Sequence, residues 1–270
     1  IFTLKILRLR KGLAMARPSH RNDQKAKRWK VMTRVALGQG KMGTRPLAAF
    51  FHLIVYVGFV IINLEVIEIL LDGLLGTHRI LKNPLGSFYN PIMSIFEWLG
   101  VAVIIACVAF LFRRWFGTIP RLTHKELVGW PQRDAHIILY TEIVLMVALL
   151  IMNAAEEASL KNSAPFFFSN ILAQGLTGIS SENLYTIEKT AWWVHFIGIL
   201  AFLNYLPYSK HFHIILAFPN TWYSKLTKRG AISPMAAVTN EIKAMMDTSF
   251  VPDVSNNPKH FGAKDISDLH

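Results

Sequence analysis

Residues 193–218 read WVHFIGILAFLNYLPYSKHFHIILAF, a long apolar run that carries three histidines, His195, His211 and His213. His195 and His213 are eighteen residues apart, about five full turns at 3.6 residues per turn, so one continuous helix would point both imidazoles the same way. At about 1.5 Å per residue they would lie roughly 27 Å apart along the axis, close to the thickness of a bilayer's hydrocarbon core. Two imidazoles on one face, one near each membrane surface, is the arrangement that a pair of stacked haems needs. The run is therefore read as a membrane helix, and the rest of the chain is searched for partners to its histidines.

The composition agrees with a membrane protein. Hydrophobic residues make up 52% of the 270 and charged residues 17%, a balance that suits a polytopic bundle with polar margins better than a globular enzyme. The net charge of +12 would fit nucleic acid, but the Lys and Arg residues fall in blocks between apolar runs, as topology determinants do. No nucleic-acid partner is expected. Cys107 is the only cysteine, so neither a disulfide within the chain nor a Cys-ligated iron–sulfur cluster can be built from it.

Working outward, the fold class expected is all-α, a polytopic transmembrane bundle of four full spans with a further N-terminal span. Residues 1–45 hold the end of that further span, near Leu7, and a basic segment lying against the cytoplasmic membrane surface. Residues 46–218 form the haem-binding bundle, with spans at about 46–71, 93–112, 135–153 and 191–208, the last helix continuing past Pro207. Residues 219–270 are a cytoplasmic tail; PMAAVTNEIKAMMD within it reads as a short amphipathic helix, and VPDVSNNPKHFGAKDISDLH as a linker. Residues 1–45 contain 13 Lys+Arg, the 113–134 loop 5 and the residues after the last span, 209–270, 7, against 2 each in 74–92 and 154–190. The positive-inside rule puts both ends of the sequence in the cytoplasm, in a multi-pass protein of the bacterial inner membrane with lipid as its surroundings.

This topology brings His52, which begins an inward-to-outward helix, to the depth of His213, which ends an outward-to-inward one. Haem iron takes two neutral imidazoles from facing helices, so His52 and His213 are the candidate inner pair. His211, about 200° around a helix from His213, should point to lipid headgroups or to a haem propionate. The candidate outer pair is His195 with His78, which lies just beyond the first span in GTHRIL and must fold back over the membrane surface to reach it. His136 reads as an interfacial residue or a propionate or quinone contact, and His124 as surface. The alternative for all of them is an interfacial or structural role in a haem-free membrane anchor. Glu65, Glu68, Glu97 and Glu142 lie at membrane depth and read either as proton-exchange groups for a quinol or as carboxylates satisfied by neighbours.

His195 and His213, with LPYSKHFHIILAFP around the second, resemble the last helix of the respiratory nitrate reductase gamma subunit. The resemblance is closer still to the membrane cytochrome b domain of heterodisulfide-reductase-like Fe–S oxidoreductases. It covers about residues 1–218, and Pro207-Tyr208-Ser209-Lys210 is its most specific part. It implies five helices and electron transfer between a membrane (mena)quinone and iron–sulfur clusters. It also implies haem b on His52 and His213 and, for an outer haem, His195. The family's remaining outer ligand sits where this chain has Ile62, so His78 would have to substitute. FGAKDISDLH resembles the approach to a ferredoxin-like two-cluster domain. The partners implied are therefore quinone, a cytoplasmic Fe–S protein or domain and other subunits of a respiratory complex.

Overall fold

The computed structural model describes residues 1–15, 21–116, 119, 124–160, 166–227, 230 and 236–251. Every regular element among them is helical. Ile1–Tyr223 form one compact unit and Ser224–His270 a second.

In the first unit α1 (Phe2–Ala14) and α2 (Lys25–Met32) precede the long α3 (Pro46–Leu75). A single turn, α4 (Lys82–Leu85), leads into α5 (Tyr89–Trp115), followed by α6 (Trp130–Leu160). The short α7 (Phe167–Gly175) precedes α8 (Ser181–Tyr205) and α9 (His213–Trp222). The second unit contributes α10 (Ala236–Met246), where the amphipathic pattern placed a helix; residues 252–270, with the linker reading, lie outside the described residues.

Apolar composition and length make three of these helices able to cross a bilayer: Pro46–Leu75, Lys82–Trp115 and Trp130–Ser159. This is fewer than the four spans and additional N-terminal span expected. In α8, Glu188, Lys189, His195 and Asn204 dilute the apolar residues, and α1 is only 13 residues long with four cations in it. α1 nonetheless packs at the end of α8, where the Phe2 N–H donates to Asn204 Oδ1 at 3.3 Å and Lys5 Nζ lies 4.7 Å from the Tyr208 ring centre.

α3 packs on α5, α5 on α6 and α6 on α8. Ile62, Val103, Cys107, Leu145, Met146 and Leu149 meet in the shared core. The apolar window of α6 is 50% buried, against 28% for α3 and 39% for the span that contains α5, which makes α6 the central helix. Glycine sets how closely the helices approach: a Cβ at Gly58 would lie 2.4 Å from Val103 Cγ2, and one at Gly198 2.5 Å from Leu145 Cδ2. Small residues at such crossings are how membrane helices gain packing contact when water supplies no drive to associate. Phe50, Val60, Leu64, Ile105 and Val144 face outward and exposed, as residues against lipid would.

The opening stretch is not one helix. α8 stops at Tyr205 because Pro207 has no N–H to continue the ladder. Two single 3₁₀ turns, Leu206–Tyr208 and Lys210–Phe212, meet at Ser209 in an extended conformation (φ −104°, ψ 164°) before α9 begins at His213. The five-turn relation between His195 and His213 therefore does not hold, and the break itself decides where the last two histidines point.

Candidate functional site

One end of the bundle holds a cavity of about 490 Å³. His52 and Tyr56 of α3, Cys107 and Arg114 of α5 and Glu142 of α6 line it, together with Lys210, His211 and His213 of the broken segment. The His52 and His213 rings stand 6.2 Å apart, centre to centre, with their planes at 49°. Nδ1 of His213 lies 2.9 Å from the Lys210 carbonyl oxygen, and Nδ1 of His52 lies 2.9 Å from Gln39 Oε1. A carbonyl oxygen can only accept, so each Nδ1 carries a proton, and in the neutral tautomer this leaves Nε2 as the nitrogen with a lone pair.

His211 departs from its expected place. It is buried between Phe59 and Phe202, with ring centres 5.7 and 5.3 Å away, and its ring lies 5.7 Å from that of His213 at 90°. Its Nε2 has no hydrogen-bond partner and sits 4.0 Å from Glu142 Oε1. The helix-face argument fails because residues 210–212 form a 3₁₀ turn rather than the α-helix it assumed. Asp134, 2% exposed at the start of α6, holds that turn in place: it accepts the Lys210 N–H at 2.8 Å and the Tyr205 hydroxyl at 2.5 Å.

The basic segment before α3 folds onto the same cavity. Arg28 is buried, donates to the Asp23 and Trp222 carbonyl oxygens at 2.8 Å each, and pairs with Asp23 Oδ1 at 2.6 Å. Trp29 meets Trp222 edge-on at 4.9 Å. A π-helical turn, Thr33–Leu37, follows, and Val35, Ala36, Gln39, Lys41 and Met42 join the cavity wall. Gln39 and Asp134 are site residues that the sequence reading did not single out. Trp29, Met32 and Ala36 recur at helical spacing within the charge run and were the available signal.

The far end of α3 carries a second cavity, of about 280 Å³, lined by Glu65, Glu68, His78, Arg79, Glu156 and Trp192 among others. Its carboxylates are mostly tied down. Gly76 closes α3 with a left-handed cap (φ 66°), and Asp72 accepts the Thr77 hydroxyl and the N–H groups of Arg79 and Ile80. That turn aims Arg79 at Glu156, Asn153 and Tyr89, and Tyr89 donates in turn to Glu68 at 3.1 Å. Burial would lower the Arg79 pKa, but the Glu156 carboxylate, by hydrogen bond and charge, together with Tyr89, outweighs it and keeps the guanidinium above its ordinary value. Glu97 accepts the N–H groups of Phe167, Phe168 and Ser169 and so caps α7, a satisfied carboxylate rather than a free acid. Glu65 Oε2 is the exception, buried without a partner.

His78 and His195 are not brought to a common cavity. His78 is exposed and lies 3.7 Å from Glu156 and 3.9 Å from Glu188. His195 is 1% exposed between α8 and α6, where its Nδ1 donates to the Leu145 carbonyl at 2.8 Å. His136 stacks on Tyr140 with its Nε2 unpaired, outside both cavities. Among the described residues no group of three or more His, Cys, Asp or Glu side chains is arranged to hold a bare metal ion.

No protein-family model and no solved structure matches the chain. It is similar to two curated proteins. One is a probable iron-sulfur-binding oxidoreductase, FadF, of Bacillus subtilis, 25% identical over 221 residues, which are 80% of this chain and 29% of the relative. The other is the EtfAB:quinone oxidoreductase of Syntrophomonas wolfei, 25% identical over 266 residues, 93% of this chain and 34% of the relative. The chain thus spans about a third of the length of these relatives, one named as a probable iron-sulfur-binding oxidoreductase and the other as a quinone oxidoreductase.

Proposed function

We propose that the chain is a haem-b membrane subunit that transfers electrons between the quinone pool and a cytoplasmic iron–sulfur partner or domain. One observation carries the reading. His52 and His213 stand close together on the wall of one cavity, each with Nδ1 engaged by an oxygen and Nε2 left as the open nitrogen, the arrangement in which histidine binds a metal. Their 6.2 Å separation is of the order that two imidazoles need to share an ion set about 2 Å from each nitrogen. The cavity falls in the range of cofactor sites, about 300–1,000 Å³, and Lys41, Arg114 and Lys210 on its wall supply cations for an anionic cofactor's carboxylates. A macrocycle brings its own four nitrogens, so two protein ligands suffice.

Haem at this site would supply one-electron transfer by its iron. The chain's own residues set the ligand geometry. Asp134 holds the turn that carries His211 and His213, and Phe59 packs on His211 in the cavity wall. Iron–sulfur clusters belong to a partner or a further domain, since Cys107 is buried in the core and is the only cysteine. Quinone as the other electron carrier is supported by the name of the Syntrophomonas relative.

The topology we propose is α3, α5, α6 and α8 as four spans of the bacterial inner membrane, with α1 ending a fifth. The basic blocks and both ends of the sequence then lie on the cytoplasmic side. His195, with Nδ1 held by Leu145, offers Nε2 to a second, outer haem; His78 can serve as its partner only by leaving Glu156 and Glu188.

The purified protein should show a b-type optical band on dithionite reduction. His52→Ala or His213→Ala should abolish the inner haem's share of it. Fully assembled protein without iron would replace this reading with that of a haem-free anchor of a larger respiratory complex.

A further inference from the structure

We infer that Gln39 sets the electron density on the His52 imidazole and thereby the reduction potential of the iron held there. The inference rests on the haem reading above. His52 and His213 are both anchored through Nδ1, but by different chemistry. The acceptor for His213 is a backbone carbonyl, that of Lys210, which no side-chain substitution alters. The acceptor for His52 is the Gln39 side-chain amide oxygen, 2.9 Å away, on a segment that is not part of any span.

The backbone is bent to deliver that amide. The π-helical turn Thr33–Leu37 ends with the Gly38 N–H donating to the Thr33 carbonyl at 2.8 Å and the Gly40 N–H to the Arg34 carbonyl at 2.9 Å. Between them Gln39 adopts φ 48°, a left-handed conformation that a residue with a Cβ seldom takes. Gly40 is tied to this geometry, because a Cβ there would lie 2.9 Å from the Arg34 carbonyl oxygen. A position that merely closed a loop would be better filled by glycine or asparagine. Glutamine at this place supplies the reach and the neutral acceptor.

A stronger acceptor on Nδ1–H makes Nε2 more basic and favours the more highly charged iron, and loss of the acceptor does the opposite. Gln39→Glu is close to isosteric and puts a carboxylate where the amide oxygen stands; Gln39→Leu removes the acceptor. Gly40→Ala leaves the Gln39 side chain intact and disturbs only the turn that presents it.

The test is a potentiometric titration of the b-type band in membranes holding wild-type protein and each variant, at neutral pH. A midpoint lowered in Gln39→Glu and raised in Gln39→Leu and Gly40→Ala is the expected result. A purely structural role would not shift the two Gln39 variants in opposite directions. Midpoints unchanged in both, or moved the same way, overturn the inference while the band itself leaves the haem reading standing. If Gln39→Leu fails to retain haem, Gln39→Glu decides alone: a lowered midpoint supports the inference and an unchanged one overturns it. Absence of the band from the wild type overturns the haem reading and this inference with it.

Discussion

At one end of the bundle three imidazoles surround an apolar cavity; at the other a guanidinium, a phenol and several carboxylates close on one another. Both ends bury polar atoms, and they treat them in opposite ways. Arg79 is spent on Glu156, Asn153 and Tyr89, Glu68 takes Tyr89 and the Leu81 N–H, and Asp72 takes a hydroxyl and two backbone donors. Around the histidines only one nitrogen of each of His52 and His213 is engaged, and His211 Nε2 has no hydrogen bond. A buried polar group left open loses free energy unless something fills the gap. Near-saturation, broken at Glu65 Oε2, marks the acidic end as a brace, and the buried, unpaired His211 Nε2 beside the open nitrogens of His52 and His213 marks the histidine end as the place for a ligand.

The comparison breaks first at Arg79 if it is wrong. Arg79→Ala should destabilise the protein by about 3–5 kcal/mol, because Glu156 would stay buried without its partner. Thermal unfolding in detergent measures this, and an unchanged midpoint would mean that the network is not a brace. Next in size is Glu97→Ala, which strips the cap from three N–H groups of α7 and should cost about 2 kcal/mol. Hydrogen exchange should quicken at Phe167–Ser169 and leave α6 protected. The smallest effect is expected at the histidine end. Asp134→Asn keeps one acceptor but loses the charge, for about 1 kcal/mol globally. Its signature is local, with faster exchange of the Lys210 amide and no change around Arg79.

Much of the bundle was legible because bilayer-length apolar runs admit little besides helices. Pro46 marks the start of α3, and the blocks of Arg and Lys separate the runs. The proximity of His52 and His213 was legible too, since a count of alternating spans assigns each residue a depth. Depth is all that such a count assigns. It did not foresee that α8 ends at Tyr205, that His211 turns inward, or that α8 falls short of the apolar measure met by its three neighbours. Nor did it foresee that Glu97 would be held by backbone amides of a helix seventy residues away.

By itself the sequence determined the helical class, the apolar runs that make the bundle and the end of it to which His52 and His213 belong. These follow from local composition and from the rule that backbone polar groups must pair within a helix when no water is near. Which nitrogen of each histidine is free was decided only in three dimensions. It depends on the Lys210 carbonyl left exposed by the break at Pro207, on Asp134 holding that break from another helix, and on a left-handed Gln39 reaching back thirteen residues before His52. Such contacts join residues far apart in the chain, or residues near in it only through a strained turn, and neither leaves a periodic trace in the sequence.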